Sequence, residues 1–192
     1  MKNLFVASEF EAEYFTKGLK KVSQSLYEGS YRVIITGVGL VNMSTTVTKA
    51  AQKYPEETFI NAGIAGATGK YRKGEVLEIQ NFYMLDPSET VTAPTSVLMT
   101  QAYPHLEKGQ GVALYTSICP VWNDHRFIIR NDNLVDMEGY AFAKICSDLG
   151  IDFKCFKAVS DNLVKNSQEE FLTNARQALE NLRTYLLNNV LN

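Results

Sequence analysis

Short apolar runs alternate along the chain with segments that carry apolar residues at helical spacing. The runs are typical of buried strands, and they lie at 4–7, 31–36, 58–62, 74–79, 112–116, 133–138 and 153–159. The segments at helical spacing lie at 9–22, 41–50, 139–149 and 167–190. Because strands and helices alternate over most of the chain, we predict an α/β fold in which helices flank a central mixed, largely parallel sheet.

A single domain, 1–192, accounts for the whole sequence. There is no internal repeat, low-complexity tract or linker, and 192 residues are enough to bury one hydrophobic core. The segment 85–110 is the least regular and contains Pro87, Pro94 and Pro104. We predict a long loop there, and long loops in compact domains are usually functional or mobile.

The composition argues against several classes of protein. The net charge is -2, so no basic field draws the chain to nucleic acid or to an anionic membrane. No apolar run reaches the roughly 18 residues that a transmembrane helix needs, and the first residues lack the pattern of a signal peptide. We therefore expect a cytoplasmic protein without a nucleic-acid or membrane partner.

Cysteine and histidine are too few and too scattered for a metal site. The three cysteines, Cys119, Cys146 and Cys155, have no CxxC spacing, which fits reduced thiols. The two histidines, His105 and His125, do not stand at ligand spacing from a cysteine or from each other. We expect both in solvated loops, and we predict neither a metal nor another cofactor.

Two glycine-containing segments, 37–39 and 63–66, follow predicted strands. In sheets of this type ligands bind at the carboxyl ends of strands, and glycine lets a ligand approach the backbone. Neither segment matches a dinucleotide or phosphate-loop fingerprint. A glycine cluster taken alone is more often a tight turn than a ligand site.

Four acids, Glu11, Asp136, Glu138 and Asp161, stand near predicted strand ends. Each one alone would be a helix cap or a solvated end, and Glu11 has capping-box spacing from Ser8. Together they favour a sugar-binding or acid–base site. One carboxylate can bind vicinal hydroxyls, another can activate water, and a third can protonate a leaving group.

Five motifs occur in a characteristic order. They are Ala7-x-x-x-Glu11, Thr36-Gly37-Val38-Gly39, Asn61-Ala62-Gly63-Ile64-Ala65-Gly66 with Gly74-Glu75-Val76, Val135-Asp136-Met137-Glu138-Gly139, and Ala158-Val159-Ser160-Asp161. The combination resembles the purine nucleoside phosphorylase and nucleosidase superfamily, and most of all its 5′-methylthioadenosine/S-adenosylhomocysteine nucleosidases. That resemblance implies hydrolysis of the N-glycosidic bond of a purine nucleoside, in nucleoside catabolism and methionine salvage.

The resemblance also implies a role for each matching residue. Asp161 would be the general acid that protonates the leaving purine, and Ser160 would orient it. Glu11 would hold and activate the attacking water. Glu138 would bind the ribose 2′ and 3′ hydroxyls, and Met137 would pack on the sugar, although core filling is an ordinary alternative for a methionine.

Five further residues complete the predicted substrate-binding set, namely Asp136, Gly66, Ile64, Val121 and Trp122. Gly66 and the backbone beside it would approach the base or the ribose. Trp122 could stack on a purine, but a single tryptophan is as often a core or interface residue. The resemblance implies a homodimer and a small-molecule purine nucleoside as substrate, with no cofactor.

Water is favoured over phosphate as the nucleophile. The superfamily's phosphorylases bind phosphate with arginine and with a serine in the glycine-rich turn, and the matching positions here are Asn61 and Ile64. Loss of those charge-assisted hydrogen bonds weakens anion binding. The alternatives are a futalosine hydrolase, a phosphorylase with a rebuilt anion site, and a non-catalytic nucleoside-binding protein.

Overall fold

This computed structural model describes residues 1–85, 105–121, 132–163 and 168–192. The strands in these ranges are β1 (Lys2–Val6), β2 (Lys20–Ser23), β3 (Leu26–Glu28), β4 (Arg32–Ile35), β5 (Thr58–Ala67), β6 (Val76–Met84), β7 (Leu106–Glu107), β8 (Val112–Thr116), β9 (Asn133–Asp136) and β10 (Phe153–Asp161). The helices there are α1 (Glu9–Ala12), α2 (Leu40–Lys53), α3 (Gly139–Asp148) and α4 (Gln168–Asn189). The predicted α/β class with a mixed sheet and flanking helices is confirmed.

The sheet closes on itself around its longest strand. β10 follows one edge of β5, while β1 and then β9 pair with the other edge. The path from β10 through β6, β8 and β9 returns to β5 and completes a ring of five strands. Parallel pairing joins β4, β1, β5 and β10 in one group and β6, β8 and β9 in another. Antiparallel pairing joins the two groups, so the sheet is mixed.

The glycine-rich segment continues a strand instead of ending one. The prediction placed the end of the third strand at Ala62, but β5 runs on to Ala67. Backbone pairing extends the strand, since β10 pairs with β5 as far as Gly66 and β9 pairs with Gly66 and Ala67 on the other edge. Gly66 pairs with Asp161 on one edge and with Val135 on the other. The expected tight turn at 63–66 was therefore wrong.

The predicted helix over 9–22 was also wrong beyond its first turn. α1 ends at Ala12, and turns that include Gly18, at a φ of 85°, lead into the β2–β3 hairpin. The apolar spacing that suggested a longer helix is satisfied without one. Phe15 is buried, although it lies in a turn after the helix end. The other predicted helices and strands that lie within the described residues are present, with ends shifted by a few residues.

Helices cover both faces of the sheet. α2 and α3 pack against each other, and α4 packs against β10, β5 and β6. Aromatic rings from four of these elements meet in the core: Phe5 lies 4.9 Å from Phe59 and 5.6 Å from Phe142, and Phe153 lies 5.8 Å from Phe142. This core supports the strands from whose ends the four acids extend.

Candidate active site

One cavity of about 410 Å³ opens at the carboxyl ends of β1, β4, β8, β9 and β10 and beside the last half of β5. Its lining combines the predicted acids with apolar side chains: Ala7, Ser8, Phe10, Glu11, Val38, Ile64, Ala65, Gly66, Cys119, Pro120, Val121, Val135, Asp136, Met137, Glu138, Ser160, Asp161, Leu163 and Phe171. This is the position expected for a ligand in a sheet of this kind.

Glu11 is held at the start of α1 by a complete capping box. The Ser8 hydroxyl accepts a hydrogen bond from the Glu11 backbone N–H at 3.3 Å, and Glu11 Oε2 accepts from the N–H groups of Ala7 at 2.8 Å and Ser8 at 3.1 Å. Glu11 Oε1 accepts from the Ile64 N–H at 3.2 Å. The capping role and the predicted site role thus coexist in one side chain. Burial raises the pKa of Glu11, while Lys157 and these N–H groups lower it.

Glu138 lies at the junction between β9 and α3. Its Oε1 accepts a hydrogen bond from the Gly39 N–H at 2.7 Å, and its Oε2 has no hydrogen-bond partner among the described residues. Gly39 has a φ of 94°, a conformation that favours glycine at the start of α2. Burial and the neighbouring Asp136 raise the pKa of Glu138 to about 7, against the opposing charge of Lys157. A carboxylate with one free oxygen is suited to binding a hydroxyl group.

Asp161 is turned into the cavity by an irregularity in β10. The register between β10 and β5 shifts between Val159 and Asp161. Asp161 Oδ2 lies 2.8 Å from the Ser160 hydroxyl, and Oδ1 accepts from the Leu163 N–H at 2.8 Å. A Cβ on Gly66 would lie 3.1 Å from Asp161 Oδ1 and 2.2 Å from Leu163 Cδ2. Gly66 therefore leaves the space that Leu163 and Asp161 occupy.

Asp136 is committed to contacts within the protein. It accepts hydrogen bonds from the Thr116 hydroxyl at 2.6 Å and the Gly139 N–H at 2.8 Å, and it pairs with Lys157 at 2.8 Å. Its side chain is 1% exposed, and that of Lys157 is 3% exposed. Asp136 therefore lines the cavity, but its carboxylate already binds three groups of the protein.

The structure brings the predicted site residues together, with one exception. Those that line the cavity are Glu11, Ser160, Asp161, Glu138, Met137, Asp136, Gly66, Ile64 and Val121. Trp122 lies outside the described residues, as do His125 and most of the segment 85–110. His105 is described and exposed, as expected.

Sequence reasoning missed the apolar wall of the cavity. Phe10, Leu163, Phe171 and Pro120 line it beside the acids. A signal was present for Phe10, which stands next to Glu11. Phe171 belongs to α4, about ten residues past Asp161, and nothing in the sequence distinguishes it from a core-facing residue of an amphipathic helix.

Two searches of the described ranges gave negative results. In the parts of the chain that the structure covers, no group of three or more His, Cys, Asp or Glu residues is placed to hold a metal ion. None of the helices described here is both long and apolar enough to span a bilayer.

Comparison with known proteins identifies the fold. Residues 119–190 match the family model described as the Phosphorylase superfamily. No curated protein matches the sequence significantly. The chain has the fold of the phosphorylase superfamily. The fold that the resemblance in the sequence motifs implies is thereby confirmed.

Solved structures of this fold superimpose over almost the whole chain. The 5′-methylthioadenosine nucleosidase of Arabidopsis thaliana matches with a TM-score of 0.81 and 21% identity, over 100% of this chain and 95% of that one. The 5′-methylthioadenosine/S-adenosylhomocysteine nucleosidase of Neisseria meningitidis, solved with methylthio-immucillin-A, gives 0.74 and 20% over 96% of both chains. The futalosine hydrolase of Helicobacter pylori gives 0.74 and 15%, over 97% of this chain and 95% of that one.

Proposed function

We propose that this protein hydrolyses the N-glycosidic bond of a purine nucleoside of the methylthioadenosine or adenosylhomocysteine type, releasing the free base and a ribose derivative. One observation carries the proposal: Glu11, Glu138 and Asp161, from three separate segments, line one cavity. The motif resemblance, the superfamily match and the structural likeness to nucleosidases support it.

Glu138 and Met137 are the proposed ribose-binding residues. The free Oε2 of Glu138 accepts hydrogen bonds from the 2′ and 3′ hydroxyls, while Oε1 stays on the Gly39 N–H. As the glycosidic bond breaks, positive charge develops on the sugar, and a carboxylate in a water-poor cavity stabilises that charge strongly. Met137 lines the same cavity and packs on the sugar.

Asp161 is the proposed acid. It gives a proton to the purine N7, so that the base leaves as a neutral molecule. Ser160 and the Leu163 N–H hold the carboxyl group in place from two sides. The glycosidic electron pair goes to the base, and the anomeric carbon is attacked by a water that Glu11 orients and deprotonates.

The choice of water over phosphate is supported by what surrounds Glu11. No lysine or arginine among the described residues lines the cavity. Asn61, where a phosphorylase has arginine, donates its amide to the Phe5 carbonyl at 3.2 Å and accepts from the Cys155 thiol. Ile64 adds no hydroxyl. Phosphate would therefore meet carboxylates in a cavity whose described lining has no cationic side chain to bind it.

A panel of nucleosides tests both the reaction and the substrate. We expect free base to appear in phosphate-free buffer from methylthioadenosine or adenosylhomocysteine, detected by chromatography. Futalosine belongs in the panel, because the futalosine hydrolase of Helicobacter pylori is as similar in fold as the Neisseria meningitidis nucleosidase. Base release that requires added phosphate would overturn the hydrolase assignment.

The variant Asp161→Asn tests the acid within the same assay. Amide cannot donate the carboxyl proton, and loss of a general acid typically lowers the rate by about 10²–10⁴-fold. The matched control is Asp148→Asn, an exposed aspartate at the end of α3, which should keep full activity. A fully active Asp161→Asn protein would rule out the assigned role, and tight nucleoside binding without turnover in the unaltered protein would favour a binding function.

The resemblance further leads us to infer a homodimer that acts in the cytoplasm and serves methionine salvage. Exposed apolar side chains near the cavity support a second copy: Val38 lines the cavity, Val41 is in the first turn of α2, and Ile118 stands next to Cys119.

A further inference from the structure

A buried lysine on β10 pairs with one of the acids that line the candidate active site. Lys157 is 2% exposed, and its Nζ lies 2.8 Å from Asp136 Oδ2. Lys157 belongs to β10 and Asp136 to β9, which are not neighbours in the ring. Because both strands pair with β5, one on each edge, the ion pair joins them across the face of β5.

Gly63 brings the lysine close to a second acid. A Cβ built on Gly63 would lie 2.7 Å from Glu11 Oε1 and 3.5 Å from Lys157 Nζ. The two side chains thus occupy the space beside the same glycine, where any larger residue would displace Glu11. Glycine at position 63 thus leaves the space in which the negative Glu11 and the positive Lys157 lie near each other.

Lys157 is also the cation that acts on the acids of the cavity. The charges that face it are Asp136 from β9, Glu138 from the β9–α3 junction, Glu11 from α1 and the Cys155 thiol on its own strand. Burial raises the pKa of Cys155 to about 12, so the thiol stays neutral at physiological pH. Lys157 is the only cation that lowers the pKa of either Glu11 or Glu138 among the groups described.

We propose that Lys157 is a positioning residue that, fixed by Asp136 and by the space at Gly63, holds a positive charge beside Glu11 and Glu138 and so favours their ionised forms for catalysis. This inference rests on the proposed function. It assigns to Lys157 no contact with the substrate. It also gives Asp136 a role apart from the substrate, because Asp136 holds the lysine beside Glu11 and Glu138.

The pH dependence of kcat/KM separates this role from a merely structural one. Lys157→Met removes the charge but keeps an unbranched side chain. Since a nearby opposite charge shifts a carboxyl pKa by about 1–3 units, we expect the acid limb of the profile to move to higher pH by a similar amount. Lys157→Arg keeps the charge and should keep the acid limb near its position in the unaltered protein.

Asp136→Asn supplies a test in the opposite direction. It replaces a negative neighbour of Glu138 with a neutral amide, whose oxygen still accepts a hydrogen bond from Lys157 Nζ and holds the lysine, so the acid limb should move to lower pH. This variant also carries the test if Lys157→Met does not fold, which circular dichroism will show. Loss of activity in either variant without movement of the limb would overturn the proposal.

A readout without substrate distinguishes this inference from the proposed reaction. Carboxyl carbon-13 NMR titration follows Glu11 and Glu138 directly in the unaltered protein and in Lys157→Met. Higher midpoints in the variant support the role of Lys157 even if no nucleoside in the panel is cleaved. Unchanged midpoints in a folded variant would refute it even if the protein is an active nucleosidase.

Discussion

A single carboxyl group, that of Glu138, links the chemistry of the site to pH. Its pKa stands near 7 because the side chain is buried beside Asp136, and the proposed reaction needs the ionised form. We therefore expect kcat/KM to rise with pH through about 7. Glu138→Gln should abolish that activity at every pH, whereas Glu13→Gln, at an exposed position just after the end of α1, should leave the profile unchanged.

Stability should respond to the same titration with the opposite sign. A raised carboxyl pKa means that the folded protein binds the proton more tightly than the unfolded chain. The contribution of Glu138 to the free energy of unfolding is then full below pH 4.5 and is lost as pH rises to about 7. Urea unfolding across this range measures it, and a smaller pH dependence in Glu138→Gln is the matching control.

At the scale of single residues, the sequence predicted which acids lie together better than it predicted the contacts they make. The motif order predicted Glu11, Glu138 and Asp161, which line one cavity. The ion pair between Asp136 and Lys157 could not be predicted, since it depends on β9 and β10 pairing with opposite edges of β5. Gly63 and Gly66 were predicted as turn or ligand glycines, yet each leaves room for neighbouring protein side chains.

Among the elements, α1 shows how a short helix can be specified by its cap alone. A helix of four residues is too short to be stable through helix propensity alone. The reciprocal hydrogen bonds of Ser8 and Glu11 stabilise α1 instead. Ser8→Ala should lower the free energy of unfolding by about 0.5–2 kcal/mol, measured by urea denaturation. It should also lower activity, since the Ser8 hydroxyl lies 3.3 Å from Glu11 Oε2.

The control for this prediction is Ser147→Ala, at an exposed position within α3, which should change stability by less than about 0.5 kcal/mol. Equal stability of the unaltered protein and Ser8→Ala would mean that packing of Phe10 and Phe15, and not the cap, holds α1.

The prediction of a helix over 9–22 failed because its evidence was apolar spacing. Apolar periodicity reports burial, and turns around Gly18 bury Phe15 as well as a helix would.

For the whole molecule, the pattern of strands predicted the fold class but not the closure of the sheet. Parallel and antiparallel pairing both occur on β5, and only the three-dimensional register shows that β9 and β10 meet there at Gly66.

The exposed apolar side chains near the cavity bear on the assembly of the whole molecule. We expect sedimentation to give a mass near twice the 21.5 kDa of one chain, and a single-chain mass would contradict the proposed dimer.

Ring closure also sets the order in which the protein can become active. Glu11 lies near the amino end of the chain, whereas β10, which carries Asp161 and seals the ring against β5, comes after more than three quarters of it. Contacts between such distant parts of a chain form slowly, because the intervening loop must first be closed. On the ribosome, and on dilution from denaturant, helical signal should recover before catalysis does, since the cavity has no complete wall until β10 docks.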